Sequence, residues 1–191
     1  MFLDTAVKRD SVASHAKALG YTPGSAKAPI AYVDVTVNNA NLASITMNPG
    51  HAYTTTINGI NYQFVNITQR ILQPTAGVYS YLNIPVYEGS WITTRFTVDV
   101  NDADQKFIIP NANVDISTMA VTIQTSASDT SLTTFTKANN LVSVKSTTNA
   151  YFIQETVDEE WEVYFGDGIV GIKPIDGNIV ILSYVVTNGT D

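Results

Sequence analysis

The chain has 191 residues, 45% hydrophobic and only 14% charged, a globular balance with enough length to bury a core. Ten Lys and Arg stand against seventeen Asp and Glu, for a formal charge of −7, so there is no electrostatic footprint for a phosphate backbone and nucleic acid is excluded as an expected partner. No apolar run reaches the roughly 18 residues of a membrane span, and the absence of cysteine removes disulfides, thiolate metal sites and cysteine nucleophiles.

Branched and aromatic residues dominate, so the expected class is mainly β: two small β-rich units of antiparallel or mixed sheets behind a short N-terminal helical arm. The arm is read over residues 1–28. Within it Val7, Val12, Ala16 and Leu19 recur at near-helical spacing, Asp10 or Ser11 caps the start, and Gly20 with Pro23 supplies the stop, which predicts a helix over about 11–19.

The first β-rich unit is expected over residues 29–98. Val33, Val35 and Val37 alternate with Tyr32, Asp34 and Thr36, giving one core face and one wet face. Asn58-Gly59 between residues 53–57 and 60–67 is a hairpin signal, because both central positions of such a turn take positive φ. Strands are predicted at 77–88 and 91–98, with Pro85 demoting part of the former to an edge or bend.

The polar run from Asp99 to Asp104 marks the soft start of a second unit, residues 99–191. Strands are predicted at 106–109 and 119–125, a Ser/Thr-rich loop at 126–136, and strands again at 141–145 and 150–155. The last stretch alternates strand and turn: Trp161 to Phe165, the turn Gly166-Asp167-Gly168, a second turn at Pro174 to Gly177, and Ile179 to Val186.

Candidate chemistry is sparse. His15 follows Ser11 by one helical turn, but a catalytic pair also needs an orienting group and an oxyanion site, so a surface or capping role is preferred; His51 beside Pro49-Gly50 is read as a loop residue. Asp99 to Asp104 imitates a calcium loop, yet Ala103 holds the third ligand position, no glycine follows, and Pro110 stands where glutamate belongs, so a solvated turn is preferred. Asp158, Glu159 and Glu160 are read as a turn before a strand, and Asp167 and Asp176, each preceding a glycine, as carboxylates bonded to local backbone. Asn66 and Asn188 head glycosylation triplets that are read as chance matches. The aromatics Tyr79, Tyr81, Tyr87 and Trp91 admit two readings, core packing, which is preferred, or a platform for sugars or a protein partner.

Three blocks carry a family resemblance: Ser14 to Pro23 with its Leu19-Gly20-Tyr21 turn; Val86-Tyr87-Glu88-Gly89-Ser90-Trp91 followed by Arg95 to Val98; and Phe165 to Gly171 with Pro174, Gly177 and Tyr184. Ile109-Pro110-Asn111 and Val114-Asp115 add to them, and together the chain resembles the baseplate wedge proteins of contractile-tailed bacteriophages, within the wider baseplate J-like family. The resemblance implies a structural protein without catalytic residues or cofactors, located in the virion tail baseplate and assembled in the host cytoplasm. It implies pairing with other wedge subunits and with further copies of itself in a ring. Family members are several times longer, so the chain is expected to be a fragment or single module. The expected contact residues are Leu19, Tyr21, Trp91, Asp167 and Ile169. The competing expectation is a carbohydrate-binding or adhesin β-domain of a tail fibre, with Trp91 and the tyrosines as sugar platforms.

Overall fold

A computed structural model describes residues 24–38, 41–138, 141–156 and 158–188. The predicted helix at 11–19, with Leu19 and Tyr21, lies outside the described residues, as does His15. Among the described residues there are β-strands and a single short 3-10 turn, Leu141–Ser143, with no α-helix, so the β class is observed. None of them forms a helix long and apolar enough to cross a membrane.

Two compact units are present, and each is drawn from separate stretches of sequence. The first takes residues 26–93, 113–119 and 183–188; the second takes 94–112 and 120–182 together with residues 24–25. The expected cut at 98/99 falls near only one of these crossings, and Ala28, placed at the end of the arm by sequence, is buried in the first unit.

The first unit holds β1 (Ile30–Asn38), β2 (Ile45–Met47), β3 (Ala52–Ile57), β4 (Ile60–Val65), β5 (Arg70–Leu72) and β6 (Val78–Glu88). A four-stranded antiparallel sheet runs β1-β6-β4-β3, and β2 pairs with β5 apart from it. The strict alternation of exposure along β1 follows its sequence: Val33 and Val35 pack on Met47, Tyr81, Ile84 and Val86, while Tyr32, Asp34 and Thr36 face out. Asn58 and Gly59 take φ of 52° and 81°, the turn that their dipeptide predicts. Pro85 does not interrupt β6. It lies opposite Tyr32 of β1, whereas β4 reaches β6 only at Tyr87 and Glu88, so the missing donor costs no ladder bond to β4. A bulge opposite Asp34 places Asn83 at φ 53°, and the Asp34 carboxylate accepts its N–H at 2.7 Å.

The remaining strands are β7 (Ser90–Thr97), β8 (Phe107–Ile109), β9 (Val114–Gln124), β10 (Leu132–Lys137), β11 (Ala150–Glu155), β12 (Trp161–Phe165) and β13 (Ile179–Val186), in one sheet of order β7-β13-β9-β10-β11-β12-β8. The sheet is mixed: β10 is antiparallel to β9 and parallel to β11. In the second unit Val121, Ile123, Phe135, Phe152, Trp161 and Val163 are buried.

Two predicted segments need correction. Residues 132–137 form a strand, because Phe135 is buried and the run pairs with β9 despite its Ser/Thr-rich, loop-like composition. The strand expected at 141–145 is instead the 3-10 turn followed by a tight turn, in which the Thr148 hydroxyl accepts the Lys145 N–H at 3.0 Å and the Lys145 carbonyl accepts the Thr148 N–H at 2.9 Å.

Candidate functional site

The loop from Phe165 to Gly171 is anchored at its start by aromatic rings in the second unit. Phe165 meets Phe107 edge to face at 5.6 Å between centroids and Phe135 at 5.4 Å, and Phe107 meets Phe96 at 5.6 Å. Gly166 then lies so close to the returning chain that a Cβ there would sit 2.2 Å from the Val170 carbonyl oxygen. The Asp167 carboxylate accepts the N–H groups of Ile169 at 2.8 Å and Val170 at 2.9 Å, and Gly168 turns at φ 92°. These amides, Val170 first and Ile169 second, hold the Asp167 carboxyl below its usual range, with Lys173 a lesser contributor. Gly171 donates to the Lys145 carbonyl at 3.1 Å and Ile172 to that of Thr148 at 3.0 Å, so the loop is tied down at both ends. At its tip the Ile169 side chain is 77% exposed. The arrangement is a rigid turn that holds one apolar side chain in water, which suits contact with a protein surface and performs no chemistry by itself.

The second block, Glu88-Gly89, makes a corner in the first unit. Glu88 is buried, and its carboxylate accepts the Thr187 hydroxyl at 2.6 Å and the Asn188 N–H at 3.1 Å. Gly89 takes φ 120°, and a Cβ there would lie 2.2 Å from the Val186 carbonyl oxygen, so only glycine lets β13 pass. Asp115, also buried, accepts the Ala28 N–H at 3.0 Å and both the N–H and hydroxyl of Ser117, at 2.9 and 2.6 Å. Thr118, in turn, accepts the Val185 N–H at 3.0 Å. Sequence reasoning placed Glu88 and Asp115 in the resemblance without assigning them a role. Acidic residues inside apolar strand ends were the available signal, since a buried carboxylate requires several donors.

The aromatics resolve toward packing. Tyr79 and Tyr81 are buried, with hydroxyls donating to the carbonyls of Leu42 and Ile45. Trp91 is half-buried and packs with Tyr87 on Ala28, Val65 and Val185, under the turn at Gly50. No open row of rings is left by these four residues for a sugar to stack on.

The acidic groups engage nearby donors. Asp99 accepts the Asn101 N–H at 2.9 Å and Asp102 that of Asp104 at 3.1 Å, the geometry of a solvated turn. These two face a cleft of about 280 Å³ in the second unit, shared with Phe107, Glu162, Tyr164 and Lys173. Glu162 accepts from Gln154 at 2.9 Å. Asp158 to Glu160 lie in a turn closed by the Thr156 N–H on the Glu160 carbonyl, 2.8 Å. Asp176 departs from expectation: it accepts the N–H of Val100, distant in sequence, at 3.2 Å, and so ties together two turns of the second unit. His51 stacks edge-on against Tyr53 at 5.3 Å between centroids. The Asn66 amide is buried, bonding Thr68 and His51, and is unavailable as a glycan acceptor.

Residues 94–185 match the family described as bacteriophage baseplate wedge protein gp6, third domain. The whole chain is similar to the baseplate wedge protein gp6 of Enterobacteria phage T4, at 26% identity over 211 aligned positions, and it spans 30% of that protein's length. Both sites described above carry blocks of the resemblance read from sequence, and the family match covers residues 94–112 and 120–182 of the second unit together with 113–119 and 183–185 of the first. The chain is thus similar to the phage baseplate wedge proteins, and over residues 94–185 to the third domain of that family.

Proposed function

We propose that the chain is a structural component of a contractile-tail baseplate, acting through protein–protein contacts with other wedge subunits and with further copies of itself, in the virion after assembly in the host cytoplasm. The match of residues 94–185 to a baseplate wedge domain carries this reading. The loop geometry supports it: Asp167 and its flanking glycines hold Ile169 out in solvent, at a cost that a purely internal turn would not require. The reading includes no enzymatic activity, cofactor, nucleic acid or membrane. Leu19, Tyr21, Trp91, Asp167 and Ile169 are the proposed contacts, with Ile169 the anchor and Asp167 its support. Trp91 contributes through the part of the residue that its packing leaves accessible.

The test is a pull-down with the tagged chain from host cells producing the tail proteins of its source, with bound partners identified by mass spectrometry. Recovery of baseplate subunits, reduced by I169S in a folded bait, is the expected outcome. Recovery of the same subunits unchanged by I169S would remove Ile169 from the interface, and a folded bait that recovers only envelope polysaccharide would overturn the structural reading.

A further inference from the structure

Residues 28–29 and 187–188, near the first and last described positions of the first unit, meet at one corner. Ala28 enters with its N–H on the Asp115 carboxylate at 3.0 Å, and the Pro29 carbonyl accepts the N–H of Glu88 at 2.9 Å. The exit is held by the same residue, since the Glu88 carboxylate takes the Thr187 hydroxyl and the Asn188 N–H. The Thr187 N–H adds a bond to the Asn113 carbonyl at 3.1 Å, two residues before Asp115. Backbone and side chain of Glu88 therefore bridge residue 29 to residue 188. Standard bond lengths along that bridge bring the two backbone positions within about 15 Å, although the chain between them, if extended, would span on the order of 500 Å.

We propose that Glu88 is a clasp that closes residues 28–188 into a loop, so that its two ends, residues 28–29 and 187–188, stay neighbours and tension between them loads the clasp before it reaches the strands. Three features fit this role. The carboxylate is buried, so water does not compete for its donors. Two donors at 2.6 and 3.1 Å converge on one oxygen, Oε2, and the same residue's N–H holds the other terminus. Gly89 follows directly, and its lack of a side chain lets Val186 and Thr187 approach closely enough to reach the carboxylate. The clasp does not depend on the baseplate reading, and its test uses the chain alone.

The chain has no cysteine, and Lys27 and Asn188 are exposed, so K27C/N188C accepts two nitroxide labels without background. With Glu88 intact, pulsed electron resonance is expected to give one narrow inter-label distance below about 30 Å, the clasp plus two label arms. E88Q, whose amide oxygen still accepts, is expected to keep that distance, and E88A to lengthen and broaden it. If E88A does not fold, T187V, which removes one donor and little volume, is expected to broaden the distribution instead. In an optical trap pulling through the same two sites, the intact chain is expected to stay short until a single rupture, and E88Q to rupture at similar or lower force. A long or broad distance with Glu88 intact, an unchanged one in folded E88A or in T187V, or gradual lengthening at low force would overturn the clasp.

Discussion

Replacing Gly166 by alanine tests whether the Phe165 to Gly171 loop is set by close backbone approach or by glycine's conformational freedom. At Gly166 the added Cβ would lie 2.2 Å from the Val170 oxygen and 2.4 Å from the Gly171 carbonyl carbon, both backbone atoms without a rotamer to change. Relief requires a shift of close to 1 Å in a segment held by the Asp167 bonds to Ile169 and Val170 and by Gly168 N–H on the Gly171 carbonyl at 3.1 Å. Overpacking and one or two weakened hydrogen bonds together cost about 3 kcal/mol. Gly168, two residues on, provides the control: it sits at φ 92° with nothing within 4 Å of an added Cβ, so alanine there meets conformational strain alone, about 1 kcal/mol. With a urea slope of about 2 kcal/mol per molar, the midpoint should fall by about 1.5 M for G166A and about 0.5 M for G168A. The readout is tryptophan fluorescence, because Trp161 is buried at the start of the strand that leads into the loop. A G166A midpoint equal to or above that of G168A would refute the steric account.

Three further outcomes follow from individual contacts. Asp167 has its carboxyl held below the usual value of 3.8, so the stability it contributes is present above about pH 4 and is lost as pH falls through its lowered folded value; the gap between wild type and D167A, followed by denaturation at stepped pH, should close on acidification and stay flat above neutrality. D115A strands the Ala28 and Ser117 donors in a buried site and should cost about 2–4 kcal/mol by the same urea assay, with D115N, which keeps an acceptor oxygen, losing less. I169S removes a side chain exposed at the loop tip and should leave the midpoint within about 0.5 kcal/mol of wild type, while weakening partner recovery.

The parts of this fold legible in the sequence are those where local chemistry and tertiary pairing agree. Alternating valines on β1, the Asn58-Gly59 turn and the apolar run of β13 state their own geometry. Residues 132–137 do not, because their Thr-rich run is two-sided and polar, and only pairing with β9 and burial of Phe135 make it a strand. The first half of β9 was missed for the opposite reason: Asp115 and Ser117 imitate a turn, and their donors and acceptors are satisfied by Ala28 and by each other, a pairing 87 residues apart for Ala28 and Asp115. Residues 141–145 alternate like a strand, but Thr148 turns the chain back before a partner is reached. Of the contact residues named from sequence, the structure describes Trp91, Asp167 and Ile169, and it gives them different characters: a half-buried packing ring, a loop brace and an exposed tip.

The residues that carry the family resemblance share a physical property that bears on its meaning. Gly89 and Gly166 are both positions where a Cβ would lie 2.2 Å from a carbonyl oxygen, and Glu88 and Asp167 are the carboxylates beside them that collect the neighbouring donors. Such pairs determine how a chain crosses itself and which way a loop points. An enzyme's signature would instead gather nucleophiles, bases and polarising groups around a cleft; of the two glycine-carboxylate pairs only Gly166 lines the cleft beside Asp99 and Asp102, while Asp167, Glu88 and Gly89 do not. The two pairs therefore fix chain paths and the position of the loop tip, properties that suit the proposed structural role. On that argument substitution at Glu88 or Gly89 should alter the direction in which flanking chain leaves the unit, and substitution at Asp167 or Gly166 the position of Ile169, with partner binding changing through geometry in both cases.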